Sequence, residues 1–226
     1  MNVYEKVVAE LKSKSDAEYK KFNDKITKTE YETIGVRMPE IKRVAKSVDK
    51  AEIEEYLEKC EFRYFEDTLI YGLLLPRLGL DEFWKRKDEF LTKCDSWSHI
   101  DCFVSELKPK ASEKEKLYSL LTEGIDSLDG FALRFRIVAL MNFYVGGDRT
   151  EEILRIVERL DGRGFYNDMA IAWLLQVALV KRREETLVFM QNNSLSRFTQ
   201  NKAISKMQDS FRIGEDDKIY LKTLRK

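Results

Sequence analysis

The chain has 226 residues, with 40 Lys and Arg against 40 Asp and Glu, 43% hydrophobic and 35% charged residues. That balance excludes a disordered chain, allows a sizeable core, and at zero net charge gives no global positive field pointing to nucleic acid. No run approaches the ~18 apolar residues of a membrane span, and the opening Met1-Asn-Val-Tyr-Glu-Lys6, charged and amphipathic, does not read as a secretory leader.

Apolar residues recur at helical spacing along most of the chain. Val3, Val7, Val8 and Leu11 predict a first helix. Ile41, Val44, Ala45 and Val48 predict a second, begun at Pro39, whose fixed φ suits a first turn. Ile53, Tyr56 and Leu57 give a third, and Phe65, Leu69, Gly72 and Leu73 a fourth that stops near Pro76 and Gly79. Phe83, Trp84, Phe90 and Leu91 follow, then Trp97 to Leu107, closed by Pro109. Leu117, Leu120 and Leu121 end at Gly124. Phe131 to Val145 is apolar nearly all round and stops at Gly146-Gly147, and Ile153, Ile156, Val157 and Leu160 run to Gly162. Phe165 to Val180 is again apolar on most faces, and Thr186 to Met190 continues after the basic Lys181-Arg182-Arg183.

Alternating strand patterns are absent, so the expected fold is all-α, with short connections that force antiparallel neighbours. The long apolar helices near residues 65, 97, 131 and 166 are spaced by about 32 to 35 residues. Such a period fits degenerate helical-hairpin repeats, an α-α superhelix occupying residues 1–226 as a single domain.

The pairing of Trp97 with Asp101 looks more like chemistry than packing. On a helix their i, i+4 spacing puts an indole and a carboxylate on one face, one turn apart. A π-face beside a carboxylate receives a cation, whether fixed or developing during bond cleavage. The competing reading is a helix start, with Asp95 or Ser98 as cap and Ser98-His-Ile-Asp101 as a capping box. His99 is the only histidine, which excludes His-based triads and H-E-x-x-H metal sites, and it is expected at a helix surface or half-buried. Cys60, Cys94 and Cys102 form no C-x-x-C pair and fit free thiols in a reducing cytoplasm; Cys94 and Cys102 flank the pair as packing residues. The basic stretches, among them Arg37 with Lys42-Arg43 and Lys46, read as solvated helix faces. Arg134, Arg136 and Asn142 in one apolar helix, and Asn167, Asp168 and Gln176 in another, are internal polar residues that need an explanation.

Four stretches in this order resemble the AlkD-like DNA alkylation repair proteins, which are built of HEAT-like helical repeats. Gly35-Val-Arg-Met-Pro39 resembles the family's G-[VI]-[RK]-x-P, and Trp97-Ser-His-Ile-Asp101 its W-x-x-x-D. Leu133-Arg-Phe-Arg-Ile-Val-Ala-Leu140 is similar to its Arg-containing apolar helix, and Met169-Ala-Ile-Ala-Trp-Leu-Leu175 to its A-I-[GA]-W-[LVA]-L. Met169 stands where family members more often have Lys.

The resemblance implies a DNA glycosylase that hydrolyses the N-glycosidic bond of cationic alkylpurines, such as 3-methyladenine and 7-methylguanine, in duplex DNA without base flipping. On that reading Asp101 stabilises the oxocarbenium-like sugar and orients water, while Trp97 and Trp173 flank the cationic nucleoside. Arg136 holds a backbone phosphate; Arg134, two residues away and so on another helix face, and Arg37 are further DNA-binding candidates. No cofactor or metal is implied, and the expected state is a cytoplasmic monomer acting on alkylated duplex DNA. The alternative is a non-catalytic helical-repeat module that binds structured DNA or a protein partner.

Overall fold

Each apolar period lies on an α-helix of the computed structural model, which describes residues 1–226 and contains 14 α-helices. No strand forms; there are only two isolated bridges, Glu32 with Tyr64 and Val145 with Gly147. The all-α expectation holds, and neighbouring helices pack as layered α-α pairs. No helix is long and apolar enough to cross a membrane. Contacts divide the chain into two compact units, Met1–Glu113 and Lys114–Lys226.

The first unit contains α1 (Val3–Ser13), α2 (Ala17–Ile26), α3 (Met38–Ser47), α4 (Ile53–Lys59), α5 (Phe65–Leu74), α6 (Leu80–Thr92) and α7 (Trp97–Glu106). Helices α3, α5 and α7 lie side by side, with α1 and α4 packed behind them. Every residue of α5 is buried, including two carboxylates, Glu66 and Asp67. A buried carboxylate needs hydrogen-bond donors in place of water, and Asp67 receives all of its donors on one oxygen, Oδ2. Glu66 accepts three backbone N–H groups, from Ile34 (2.9 Å), Gly35 (2.8 Å) and Val36 (3.1 Å). Asp67 accepts the Tyr4 hydroxyl at 2.9 Å, tying α1 to α5, and the amides of Arg63 and Tyr64. The turn that Glu66 gathers needs Gly35: its φ is +89°, and a Cβ there would stand 2.5 Å from Cβ of Lys20. The glycine of the sequence motif therefore has a local steric cause.

Helix α2 has no predicted counterpart, because Asn23 is its only buried residue and no apolar stripe exists to detect. Its start is set instead by Asp16, whose carboxylate caps the amides of Glu18 and Tyr19.

The second unit contains α8 (Lys114–Thr122), α9 (Gly130–Phe143), α10 (Thr150–Arg159), α11 (Phe165–Lys181), α12 (Arg183–Gln191), α13 (Arg197–Gln208) and α14 (Glu215–Thr223). Helices α9, α11 and α13 form one layer; α8, α10, α12 and α14 pack on its members. The central position of α9 and α11 accounts for their apolarity on most faces. Their internal polar residues join backbone segments. Arg134 donates to the Tyr166 carbonyl at 2.5 Å, and Asn167 to that of Arg163 at 2.9 Å. Asp168 accepts the Gly162 amide at 2.9 Å, and Gln176 reaches Ser210 at 3.4 Å. Asn142 is exposed. Helices α13 and α14 were not predicted either: α13 buries Thr199 and Gln200 in its core face, and α14 buries only Leu221. Gln200 earns its burial by donating to the carbonyls of Met190 and Leu224.

Candidate active site

Helix α7 begins at Ser96, whose side chain makes no capping bond, and the third helical residue is His99. The capping box expected from Ser98 and Asp101 is therefore not formed, and neither Asp95 nor Ser98 is the cap. Asp95 faces elsewhere. Its two oxygens accept the Thr29 hydroxyl at 3.0 and 2.8 Å and the Glu30 amide at 2.7 Å. Nearby, the Tyr31 hydroxyl donates to the Lys93 carbonyl at 2.7 Å. Four hydrogen bonds thus clamp residues 29–31 to the chain leading into α7.

His99 departs from its surface expectation and is completely buried. Its Nε2 lies 3.3 Å from the Phe65 carbonyl, its Nδ1 is 3.5 Å from Asp95, and its ring stands 4.4 Å from that of Phe65. Burial pushes its pKa down to about 4, against the opposing pull of Asp95, so the imidazole is neutral at physiological pH. The apolar partners Ile100, Phe103 and Val104, each no more than 1% exposed, complete the inward face. Burying side chains of this kind contributes about 1.5–3 kcal/mol apiece, which fixes the rotation of α7 about its axis. The opposite stripe then carries Trp97, 36% exposed, with Asp101 partly exposed and Ser105 open. Indole and carboxylate share this outward face one turn apart. Beside them, burial and then the Asp101 charge push the Cys102 thiol up to about 11, and burial raises Cys94 as well, so both thiols stay protonated at neutral pH.

Past the C-terminal end of α7 lies a groove of about 510 Å³ whose lining includes Lys42, Lys46, Arg77 and Lys108, with Glu106 as its acid. Lys42 pairs with Glu106 at 2.7 Å, and Arg77 donates to the carbonyls of Ala45 and Val48 at the end of α3. The groove was not anticipated. Lys42 and Lys46 stand at i, i+4 on α3 and were visible as a pair, but nothing local joins them to Arg77 and Lys108. Arg37, just before α3, is mostly exposed; its guanidinium pairs with Asp16 at 2.9 Å and stands 4.8 Å from the Tyr19 ring centre.

In the second unit Trp173 belongs to a half-exposed stripe of α11 formed by Tyr166, Met169, Trp173, Val177 and Val180. Arg134 and Arg136 are 5% and 9% exposed, and Arg136 donates to the Leu120 carbonyl of α8 as Arg134 does to Tyr166. No three His, Cys, Asp or Glu side chains are grouped in a way that could hold a metal ion.

Residues 7–207 match the family model described as DNA alkylation repair enzyme. The chain belongs to that family. A comparison with curated proteins gives no match. The matched stretch of this DNA alkylation repair protein runs from α1 into α13 and takes in Trp97, Asp101, Trp173 and all three candidate arginines. Phe211, Arg212 and α14 lie beyond it. Of the candidates, the fold sets Trp97 and Asp101 on one face of α7, and Arg37 at the turn held by Glu66. Trp173, Arg134 and Arg136 belong to the second unit.

Proposed function

We propose that this DNA alkylation repair protein is a glycosylase that hydrolyses the N-glycosidic bond of cationic alkylpurines, such as 3-methyladenine and 7-methylguanine, in duplex DNA. The observation that carries the reading is the outward face of α7 that Trp97 and Asp101 share one turn apart, both at least partly exposed. An alkylated purine already bears positive charge and leaves as a neutral base. The bond from C1′ to the ring nitrogen breaks with its electron pair going to the base, and C1′ acquires cationic character. The Asp101 carboxylate stabilises that charge and accepts a proton from the water that adds to C1′. Trp97 presents its π-face to the cationic nucleoside, a contact of about 0.5–2 kcal/mol. Trp173 enters as a second aromatic surface on the resemblance of residues 169–175 and its own half-exposure. No base needs to be extruded, since the charge is recognised at a surface.

Phosphate contacts are assigned to Lys42, Lys46 and Lys108 of the groove beyond α7 and to Arg37. Arg136 is proposed as a phosphate contact of the second unit, its guanidinium oriented by the Leu120 carbonyl. Arg134, the more deeply buried, is proposed to act chiefly as a brace between α9 and α11.

The test is release of methylated purines from alkylated duplex DNA by the wild type and by Asp101→Asn, with folding checked by circular dichroism and DNA affinity by anisotropy. Loss of a preorganised charged group lowers the rate by about 10²-fold or more, with affinity nearly unchanged. If the folded wild type binds DNA but releases no base, the protein is instead a non-catalytic binding module.

A further inference from the structure

Beside Trp173 the second unit holds a groove of about 550 Å³ between the half-exposed stripe of α11 and the end of α13. One wall is aromatic and aliphatic, formed by Trp173, Val177 and Val180. At its lip stands Phe211, whose side chain is wholly exposed, in the loop between α13 and α14. The loop is braced on both sides of that ring. Ser210 accepts hydrogen bonds from Gln176 at 3.4 Å and from the Arg212 amide at 3.3 Å, and Ile213 is buried. The phenyl is thus presented on an anchored turn.

The charges around it are lopsided. Lys181, Lys206 and Arg212 line the groove against one acid, Asp209. Lys181 is committed to the Val145 carbonyl at 2.9 Å, which leaves Lys206 and Arg212 as the cations facing a ligand. Aromatic faces with a cationic rim are the combination that holds an unstacked nucleotide: the base stacks and the phosphate is neutralised. The volume is within the range of small-ligand sites, about 300–1,000 Å³.

We propose that this groove receives a single unpaired nucleotide of a DNA strand, its base stacked on Phe211 and its phosphate on Lys206 and Arg212. The proposal rests on the DNA reading above but not on glycosylase activity. Phe211 lies outside the residues matched by the family model, so the groove's lip is not part of the motifs that the resemblance used.

The test compares the binding of full-length protein to a paired duplex and to the same duplex with one unpaired 2-aminopurine. Wild type, Phe211→Ala and the Lys206→Gln, Arg212→Gln double variant are measured by anisotropy and by 2-aminopurine emission. The wild type is expected to prefer the bulged duplex and to quench the probe by stacking. Loss of one stacked base, worth about 1–3 kcal/mol, lowers that preference roughly 5- to 140-fold in Phe211→Ala. The double variant weakens binding and steepens less with falling salt. DNA binding by the wild type with the same preference in Phe211→Ala overturns the proposal and leaves the DNA reading intact. Binding to neither duplex overturns both. Self-association that Phe211→Ala abolishes, with no preference for the bulge, assigns the groove to a second copy of the chain instead.

Discussion

Replacing Glu66 by Ala should unfold the first unit's N-terminal half under conditions where the wild type is stable. The carboxylate accepts three backbone amides, at 2.9, 2.8 and 3.1 Å, and is 1% exposed. Hydrogen bonds to a charged group are worth about 1.5–3 kcal/mol each, so three amount to roughly 4–5 kcal/mol at the low end of that range. Water entering the vacated space recovers part of it, which leaves an expected loss of about 3 kcal/mol. For a chain of this size that corresponds to about 6–12 °C in Tm. Glu66→Gln is the sharper variant. Its carbonyl can serve the Gly35 and Val36 amides that meet Oε1, but its amide nitrogen then confronts the Ile34 N–H, donor against donor. It should therefore be destabilised nearly as much despite having the same shape. Urea unfolding, with hydrogen exchange read at Ile34, Gly35 and Val36, measures both. A loss below about 1 kcal/mol in Glu66→Ala, or amides still protected in it, would show that the turn is held by something other than this carboxylate.

Two further expectations concern His99 and the lysine groove. As the only histidine, His99 gives a single imidazole titration by NMR. Its folded pKa of about 4 lies below the ordinary 6.5 because of burial, so the unfolded chain takes up a proton that the folded one refuses. Its contribution is complete above pH 6.5 and is lost as the pH falls through 4, amounting to about 3 kcal/mol in all; a ring that titrates near 6.5 in the folded protein would contradict this. For Lys46→Gln with Lys108→Gln, the salt slope of DNA affinity should shrink by about 0.9 for each phosphate contact removed, and an unchanged slope would take both lysines off the DNA.

Much of the architecture was legible because apolar spacing records which face of a helix is covered. It failed where the covered face is small or mixes polar with apolar residues. Helix α13 hides Thr199 and Gln200, α2 is set by a cap, and α14 buries a single leucine. At the candidate site the i, i+4 spacing of Trp97 and Asp101 was readable from the chain. That Asp101 is not a capping residue was not, since it depends on where the helix starts. Burial of His99 was equally hidden: a histidine between Ser98 and Ile100 reads as polar, and only the Phe65 carbonyl on α5 explains it. The lysine groove combines residues from three separate segments, so no local window contains it.

The Asp95 clamp has a mechanical consequence. With both carboxylate oxygens engaged by Thr29 and Glu30, and Tyr31 bonded to the Lys93 carbonyl, the stretch before α3 and the approach to α7 cannot move independently. Two segments more than sixty residues apart in sequence behave as one strut. A ligand meeting the Trp97 face encounters a surface already in its final shape, so little of its binding energy is spent on reorganising the protein.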